Sequence, residues 1–281
     1  MNSLPHLSSE AVARPGVGDG TGHGSPPLTD GRRARELQVW LASQAEVEVA
    51  SVTLPKSGRR YEIHIPTEAT RERLFDEARK DPIKQMPYWA RIWASGVALA
   101  DAVLARPEQL AGQRVLEMGC GLGVTATAAI QVGARLTVAD YTTMPLAFCR
   151  YNTLRNAGDG PRSLRVNWRT PDPLSWTRAT AGGGWPIILA ADVLYESRDI
   201  MPLLELVDRL LAPDGVLWLA EPGRRTAQRF LNVAASLGWE GESEYHTGPW
   251  PDQRDTRVGI HFLRRPATID PLAASLGGWR T

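Results

Sequence analysis

The 281-residue chain has only two cysteines, Cys120 and Cys149, and their scarcity limits the classes of protein to which it can belong. Two cysteines are too few for a disulfide framework, and they do not have metal-ligand spacing. The five histidines do not have it either, so we expect no metal site. A reducing, cytoplasmic compartment is the natural expectation for such a chain.

The chain also lacks an excess of charge of either sign, since 32 Lys and Arg stand against 31 Asp and Glu. This balance disfavours nucleic-acid binding through bulk electrostatics. No run of 18 apolar residues is present to span a bilayer, and the N-terminus shows no basic start and apolar run of a secretory signal. We therefore expect neither membrane insertion nor secretion.

Composition divides the chain into four segments. Residues 1–30 are rich in Gly, Pro and Ser and predict a disordered tail, because they cannot bury enough apolar surface to offset their ordering entropy. Residues 31–84 predict an extension made of a helix, a β-hairpin and a charged second helix. Residues 85–266 form the main domain, and residues 267–281 a C-terminal tail.

The main domain alternates strand and helix patterns, which is typical of a doubly wound α/β sheet. Its final two strand-like runs, 242–246 and 256–263, have only a loop between them, so we expect this pair to be antiparallel. The other predicted strands are 115–118, 136–139, 164–168, 187–191 and 216–220. The predicted helices between them are 124–132, 144–156, 201–211 and 225–237.

The strongest local signal is the segment 115–123, in which an apolar strand leads into Gly119, Gly121 and Gly123 and then into a helix. Glycines permit positive φ angles and let a ligand approach the backbone, and the helix N-terminus offers free N–H groups to an anion. Asp140 ends the next strand, where a carboxylate can accept hydrogen bonds from both hydroxyls of a ribose. Together these residues indicate a nucleoside-containing cofactor.

Two alternatives accompany this interpretation. Residues 121–126 also satisfy a relaxed dinucleotide pattern, so an NAD-linked oxidoreductase stays possible on the pattern alone. Glu117, two residues before the first glycine, and the antiparallel final pair stand against it. A tight strand-to-helix turn that binds no ligand is the other alternative.

The motif 117–123 (EMGCGLG) with Asp140 resembles the class I S-adenosylmethionine-dependent methyltransferases. The segments 87–96 (PYWARIWASG), Asn167-Trp168 and 191–196 (ADVLYE) are similar to the family-16 branch of these seven-strand enzymes. That branch includes many protein lysine methyltransferases, among them the one acting on the electron-transfer flavoprotein β subunit. Ala94 stands where the branch usually has proline, and Asn167 where aspartate is expected.

The resemblance implies a Rossmann-like seven-stranded sheet and S-adenosyl-L-methionine as cofactor. It places the glycine loop against the methionine part of the cofactor and Asp140 at the ribose. The cofactor-binding residues that it implies are Trp93, Glu117, Gly119, Gly121, Gly123, Asp140, Tyr141, Asn167, Trp168 and Asp192.

Asp192 follows the strand 187–191 at the sheet edge where α/β proteins place their ligands, although it could instead cap a helix. We expect it to orient the incoming amine, with Tyr195 and Glu196 at the entrance as further catalytic residues. Glu221 occupies the equivalent edge of the next strand, so the carboxylates predict a cationic acceptor. If one helix carried both Trp89 and Trp93, four residues apart, both would face the cofactor cleft, with core packing as the alternative for each.

These observations predict a methyltransferase that modifies a protein with an accessible lysine. A methyltransferase for a small molecule or RNA is an alternative, because fold and cofactor do not fix the acceptor. A non-catalytic cofactor-binding module of the same fold is another.

Overall fold

The computed structural model describes residues 28–81, 84–171, 183–251 and 257–266. The predicted C-terminal tail and most of the N-terminal tail lie outside these ranges. The described helices are α1 (Leu28–Gln44), α2 (Glu68–Lys80), α3 (Ala94–Leu104), α4 (Pro107–Leu110), α5 (Val124–Gln131), α6 (Thr143–Ala157), α7 (Ile200–Leu210) and α8 (Arg225–Ser236). The described strands are β1 (Val47–Thr53), β2 (Arg60–Pro66), β3 (Arg114–Met118), β4 (Arg135–Asp140), β5 (Arg162–Arg165), β6 (Trp185–Ala191), β7 (Leu211–Glu221), β8 (Glu240–His246) and β9 (Val258–Arg264).

Seven of these strands form one sheet in the order β5-β4-β3-β6-β7-β9-β8. The five strands from β5 to β7 in this order are parallel to one another, whereas β9 runs antiparallel to both β7 and β8. The central strands β3 and β6 are almost continuously buried because helices cover both faces of a parallel sheet. The predicted Rossmann-like sheet with an antiparallel last pair is confirmed.

Each face of the sheet carries its own apolar core. Helices α3, α5 and α6 cover one face, where Phe148 and Trp218 are fully buried. Helices α7 and α8 cover the other, with Phe230 at the centre of their packing. Helix α7 turns Leu203, Leu206, Val207 and Leu210 toward the sheet, which is the three- and four-residue spacing of an amphipathic helix.

In the N-terminal extension, α1 and the hairpin β1-β2 pack against α6. Two asparagines of α6 bind the backbone of β2, so that their amides replace a neighbouring strand. Asn152 accepts from the N–H of His64 at 2.8 Å and donates to its carbonyl at 3.0 Å. Asn156 makes the same pair of bonds with Glu62, at 2.9 and 3.0 Å. The predicted hairpin is confirmed, and these bonds attach it to the main domain.

Two local predictions are wrong. Strand β5 ends at Arg165 rather than at residue 168, because Asn167 begins a turn in which its side chain accepts from the N–H of Arg169 at 3.0 Å. Trp89 and Trp93 do not share a helix, since a short 3-10 turn, Tyr88–Ala90, precedes an extended Trp93. Trp89 is buried in the core, with its ring centre 5.7 Å from that of Phe148.

None of the described helices has the length and apolar character needed to cross a membrane.

Candidate active site

The predicted site residues gather along the carboxyl edge of the parallel strands. Glu117 lies at the end of β3, Asp140 at the end of β4, Asp192 directly after β6 and Glu221 at the end of β7. Parallel strands in register bring these ends to one edge of the sheet. Residues far apart in sequence are thereby brought to the edge where such folds bind ligands.

The glycine loop needs glycine at all three positions, because Gly119, Gly121 and Gly123 have φ angles of 71°, 49° and 82°. Two of them are also closely packed. A Cβ on Gly119 would lie 2.7 Å from Cγ1 of Val193, and one on Gly123 would lie 2.9 Å from the sulfur of Cys149. The loop is thus held between the segment after β6 and helix α6.

Asp140 connects β4 to the glycine loop. Its Oδ2 accepts from the N–H of Gly121 at 3.2 Å, and its Oδ1 accepts from the N–H of Tyr141 at 2.8 Å. Burial raises the pKa of Asp140 to about 6, and the two N–H donors partly oppose this rise. Oδ2 also accepts weakly from the thiol of Cys120 at 3.9 Å, so Oδ1 has the more available lone pair for a ligand hydroxyl.

Glu117 is buried beside this loop, and its Oε2 has no hydrogen-bond partner within the described part of the chain. Burial, and secondarily the nearby Asp140, raise the pKa of Glu117 well above its ordinary value. A buried acceptor without a donor is costly for a protein and is common at binding sites. The arrangement suits a cationic or N–H-bearing ligand group.

Trp168 and Asn167 lie in the turn after β5. The indole N–H of Trp168 donates to the buried carboxylate of Asp199 at 3.1 Å, and Arg169 binds both oxygens of the same carboxylate. The indole lies close to the glycine loop, because a Cβ added at Gly119 would be 4.0 Å from it. Trp168 is therefore a fixed wall next to the glycine loop, and sequence reasoning did not identify Asp199 as the residue that fixes it.

An aromatic group borders the same edge. The ring centre of Tyr88 lies 4.8 Å from that of Tyr195 and 6.4 Å from that of Trp93, in edge-to-face geometry. Trp93 donates its indole N–H to the carbonyl of Tyr88 at 2.8 Å, and Tyr141 donates its hydroxyl to the carbonyl of Gln85 at 3.2 Å. Trp93 also lines, with Gly119 and Gly121, a small cavity of about 50 Å³.

Asp192 has a left-handed backbone, φ 54°, and does not cap a helix, so that alternative is wrong. Its carboxylate is bound by Arg224, whose Nε and Nη2 donate to the two oxygens at 2.7 and 3.0 Å. The guanidinium carbon of Arg224 lies 5.7 Å from the ring centre of Trp93. The sequence pattern did not reveal Arg224, which is 32 residues away from its partner.

Glu221 is buried and holds the turn that carries Arg224. Its Oε2 accepts from the N–H of Gly223 at 2.6 Å and from that of Arg224 at 3.1 Å. Its Oε1 lies 3.4 Å from Nε2 of His261, whose Nδ1 lies 2.7 Å from the hydroxyl of Ser243. Gly259 leaves room for this contact, because a Cβ there would be 2.9 Å from the imidazole.

Glu196 is paired with two arginines, Arg169 at 3.2 Å and Arg198 at 2.5 Å. Burial opposes its ionisation, but the hydrogen bonds from Arg198 and Arg169 hold its pKa below the ordinary value. The three carboxylates expected to attract a cationic acceptor are therefore all engaged by other groups of the chain. Burial raises the pKa of Tyr195, so its hydroxyl stays protonated and cannot act as a base at neutral pH.

Comparisons with known proteins give a consistent result. A sequence model described as lysine methyltransferase matches residues 85–236. The electron transfer flavoprotein beta subunit lysine methyltransferase of Danio rerio is 50% identical over 112 residues, covering 39% of this chain and 40% of that protein. The protein of the same name from Xenopus laevis is 29% identical over 143 residues, covering 49% and 53%. The chain thus spans about half or less of the length of these curated relatives.

Among solved structures, the N-methyltransferase NodS from Bradyrhizobium japonicum WM9, in complex with S-adenosyl-L-homocysteine, superposes with a TM-score of 0.47. The two chains are 15% identical, and the match covers 69% of this chain and 98% of that one.

Proposed function

Because the matched residues make up more than half of the chain, it belongs to the lysine methyltransferase family, and we propose that it methylates a lysine side chain of a protein. The family uses S-adenosyl-L-methionine, and family membership confirms the resemblance on which that cofactor was predicted. We propose residues 85–266 as the catalytic domain, with the extension as its support.

The single observation that carries the proposal is that two buried carboxylates border one glycine loop: Glu117, with an unpartnered oxygen, precedes the loop, and Asp140 binds the N–H of Gly121 within it. The cofactor has a cationic amino group, from which Glu117 can accept a hydrogen bond. It also has a ribose, from whose two hydroxyls Asp140 can accept hydrogen bonds. Trp168 and Asn167 would lie beside the adenine, and Tyr141 next to the ribose. The residues present therefore fit the cofactor, which supplies an electrophilic methyl group when it is bound.

The chain itself must position the acceptor and exclude water. A lysine ammonium, with an ordinary pKa of about 10.4, must lose a proton before it can act as a nucleophile. The aromatic surface of Trp93, Tyr88 and Tyr195 would enclose the lysine stem and favour the neutral amine by limiting its hydration. Asp192 would then accept a hydrogen bond from the amine and hold it in orientation.

The decisive experiment incubates a cell lysate with isotopically labelled S-adenosyl-L-methionine and identifies the labelled species by mass spectrometry. We expect a shift of one or more methyl groups on a lysine-containing peptide. Label found only on RNA or on a small molecule would contradict the lysine assignment while leaving methyl transfer intact. A protein that fails to bind S-adenosyl-L-homocysteine in calorimetry would contradict the proposal as a whole.

Substitution of Asp192 by alanine tests the residue assignment in the same assay. Turnover should fall much more than cofactor affinity, because Asp192 is proposed to act on the acceptor. An equal loss of both would reject the assigned role.

A further inference from the structure

The carboxylate and the aromatic ring that we assign to the acceptor already hold a cation of the chain itself. We propose that Arg224 occupies the subsite for the acceptor ammonium group, and that a lysine side chain enters by displacing its guanidinium. This inference rests on the proposed function, since it names the site at which a lysine would be received.

The surroundings of Arg224 are those that recognise a primary ammonium ion. Two N–H groups of its guanidinium bind the two oxygens of Asp192, at 2.7 and 3.0 Å. Its central carbon lies 5.7 Å from the ring centre of Trp93, within the range of a cation–π interaction. A carboxylate on one side and an aromatic face on the other would bind an alkylammonium ion in the same way.

This subsite borders the proposed cofactor loop. Ala191, which directly precedes Asp192, lines the small cavity beside the glycine loop, and Trp93 lines it as well. A cation bound between Asp192 and Trp93 is therefore next to the place where the methyl donor would lie. Glu196 and Glu221, the other two carboxylates expected to attract the acceptor, are bound by other groups of the chain.

Exposure shows which member of the pair must move. The Asp192 side chain is only 6% exposed, whereas that of Arg224 is 38% exposed. A second cation cannot reach both carboxylate oxygens while the guanidinium holds them. The guanidinium of Arg224 must therefore leave before both oxygens of Asp192 can bind an incoming ammonium ion.

The backbone allows this movement without loss of structure. Arg224 stands immediately before helix α8 in an extended conformation, φ −68° and ψ 141°. Glu221 holds its N–H, so the main chain stays in place while the side chain rotates outward. An incoming ammonium ion replaces the positive charge that leaves Asp192, so the carboxylate is not left without a cationic partner.

The test measures binding of n-butylammonium, the lysine side-chain analogue, by NMR titration in the presence of saturating S-adenosyl-L-homocysteine. Arg224→Met should bind the amine about tenfold more tightly than the unmodified protein, which corresponds to the coupling of one close charge pair. Arg224→Lys keeps a competing cation and should bind weakly. Uncharged n-butanol should show no such difference.

Arg225→Met is the matched control, because it removes the same charge from the next, exposed residue. It should leave the affinity for n-butylammonium unchanged, which separates displacement from a general change in net charge. In the Arg224→Met background, Asp192→Asn should remove the gain. Equal affinities of Arg224→Met and Arg225→Met, or weaker binding by Arg224→Met, would overturn the proposal and make Arg224 a permanent clamp on Asp192.

A second measurement keeps the proposal testable if Arg224→Met does not fold. In the unmodified protein, the side-chain Nε–H signal of Arg224, assigned by its loss in Arg224→Gln or Arg224→Lys, should move toward that of a free arginine as n-butylammonium is added. A signal that stays unchanged at saturation would overturn displacement. Failure to bind S-adenosyl-L-homocysteine would instead contradict the proposed function, so the two failures are distinguishable.

Discussion

At the scale of single residues, Asp140 predicts a pH dependence of cofactor binding. Burial raises its pKa to about 6, so the carboxylate becomes protonated as the pH falls through that value and loses acceptor capacity for the ribose hydroxyls. If only the ionised form binds, affinity for S-adenosyl-L-homocysteine should fall about tenfold between pH 7 and pH 5. Calorimetry over this range measures the effect.

Two variants assign the titration to Asp140. Asp140→Asn should bind weakly at every pH and show a nearly flat profile, because the group that titrates is gone. Glu117→Gln should bind more weakly than the unmodified protein but keep the slope near pH 6. Equal affinities of the unmodified protein at pH 5 and pH 7 would contradict the assignment.

Substitution of Gly119 should lower the stability of the fold, and a matched glycine shows how much of the loss comes from packing rather than from backbone conformation. Gly119→Ala combines a residue at φ 71° with a Cβ 2.7 Å from Val193, and it should cost about 2–4 kcal/mol of unfolding free energy. Gly133→Ala has a similar φ of 82° but meets its nearest atom only at 4.0 Å, and it should cost about 1 kcal/mol. Urea unfolding measures both, and equal costs would show that contact with Val193 is unimportant.

Residue identities at the strand ends could be predicted from the sequence, but their partners could not. Glu117 and Asp140 follow apolar runs, and parallel strands bring such ends to one edge of the sheet. Arg224 and His261 contact the site through pairings that no short-range pattern encodes. Arg224 and Arg169, which bind Asp192 and Glu196, lie too far from them in the sequence for a local pattern to reveal the pairing.

At the scale of elements, helix α6 predicts a coupling between the hairpin and the glycine loop. Asn152 is fully buried, and besides its two bonds to His64 it donates to the carbonyl of Leu122, inside the loop, at 2.9 Å. Asn152→Ala leaves these backbone groups without their partner and should cost about 2–4 kcal/mol of unfolding free energy. It should also weaken binding of S-adenosyl-L-homocysteine, because the loop loses an anchor.

Asn156 is the matched control on the next turn of the same helix. It makes the same paired bonds to β2, but at the solvent-exposed end and without contact to the loop. Asn156→Ala should cost about 1 kcal/mol and leave the affinity unchanged. Equal losses of affinity in the two variants would contradict a specific role of the Leu122 bond.

Periodicity predicted most elements well because long apolar runs and amphipathic helices are local signals. Periodicity was misleading between residues 85 and 93, because Trp89 and Trp93 are four residues apart but do not share a helix. Pro87 lacks the N–H that a helix interior needs, and the indole of Trp93 binds the carbonyl of Tyr88 instead. It also placed the end of β5 too late, since Asn167 forms a side-chain turn that apolar patterning does not indicate.

At the scale of the whole molecule, the fold brings Glu117 and Asp140 to one edge of the sheet. The hairpin and the helices on both faces of the sheet support this edge. A ligand that binds this edge only in the folded chain must stabilise the entire domain by mass action. S-adenosyl-L-homocysteine at one hundred times its dissociation constant should add about 2.7 kcal/mol. For a chain of this size we expect the melting temperature to rise by about 5–10 °C.

The same melting experiment distinguishes the two cofactor classes that the glycine motif allows. NADH should not raise the melting temperature. Its pyrophosphate offers no hydrogen-bond donor to the buried Glu117, and an ionised Glu117 would repel that anion. Glu117→Gln should reduce the rise caused by S-adenosyl-L-homocysteine, since the cationic amino group loses its charged partner. Stabilisation by NADH and not by S-adenosyl-L-homocysteine would return the glycine loop to the dinucleotide class and contradict the methyltransferase assignment.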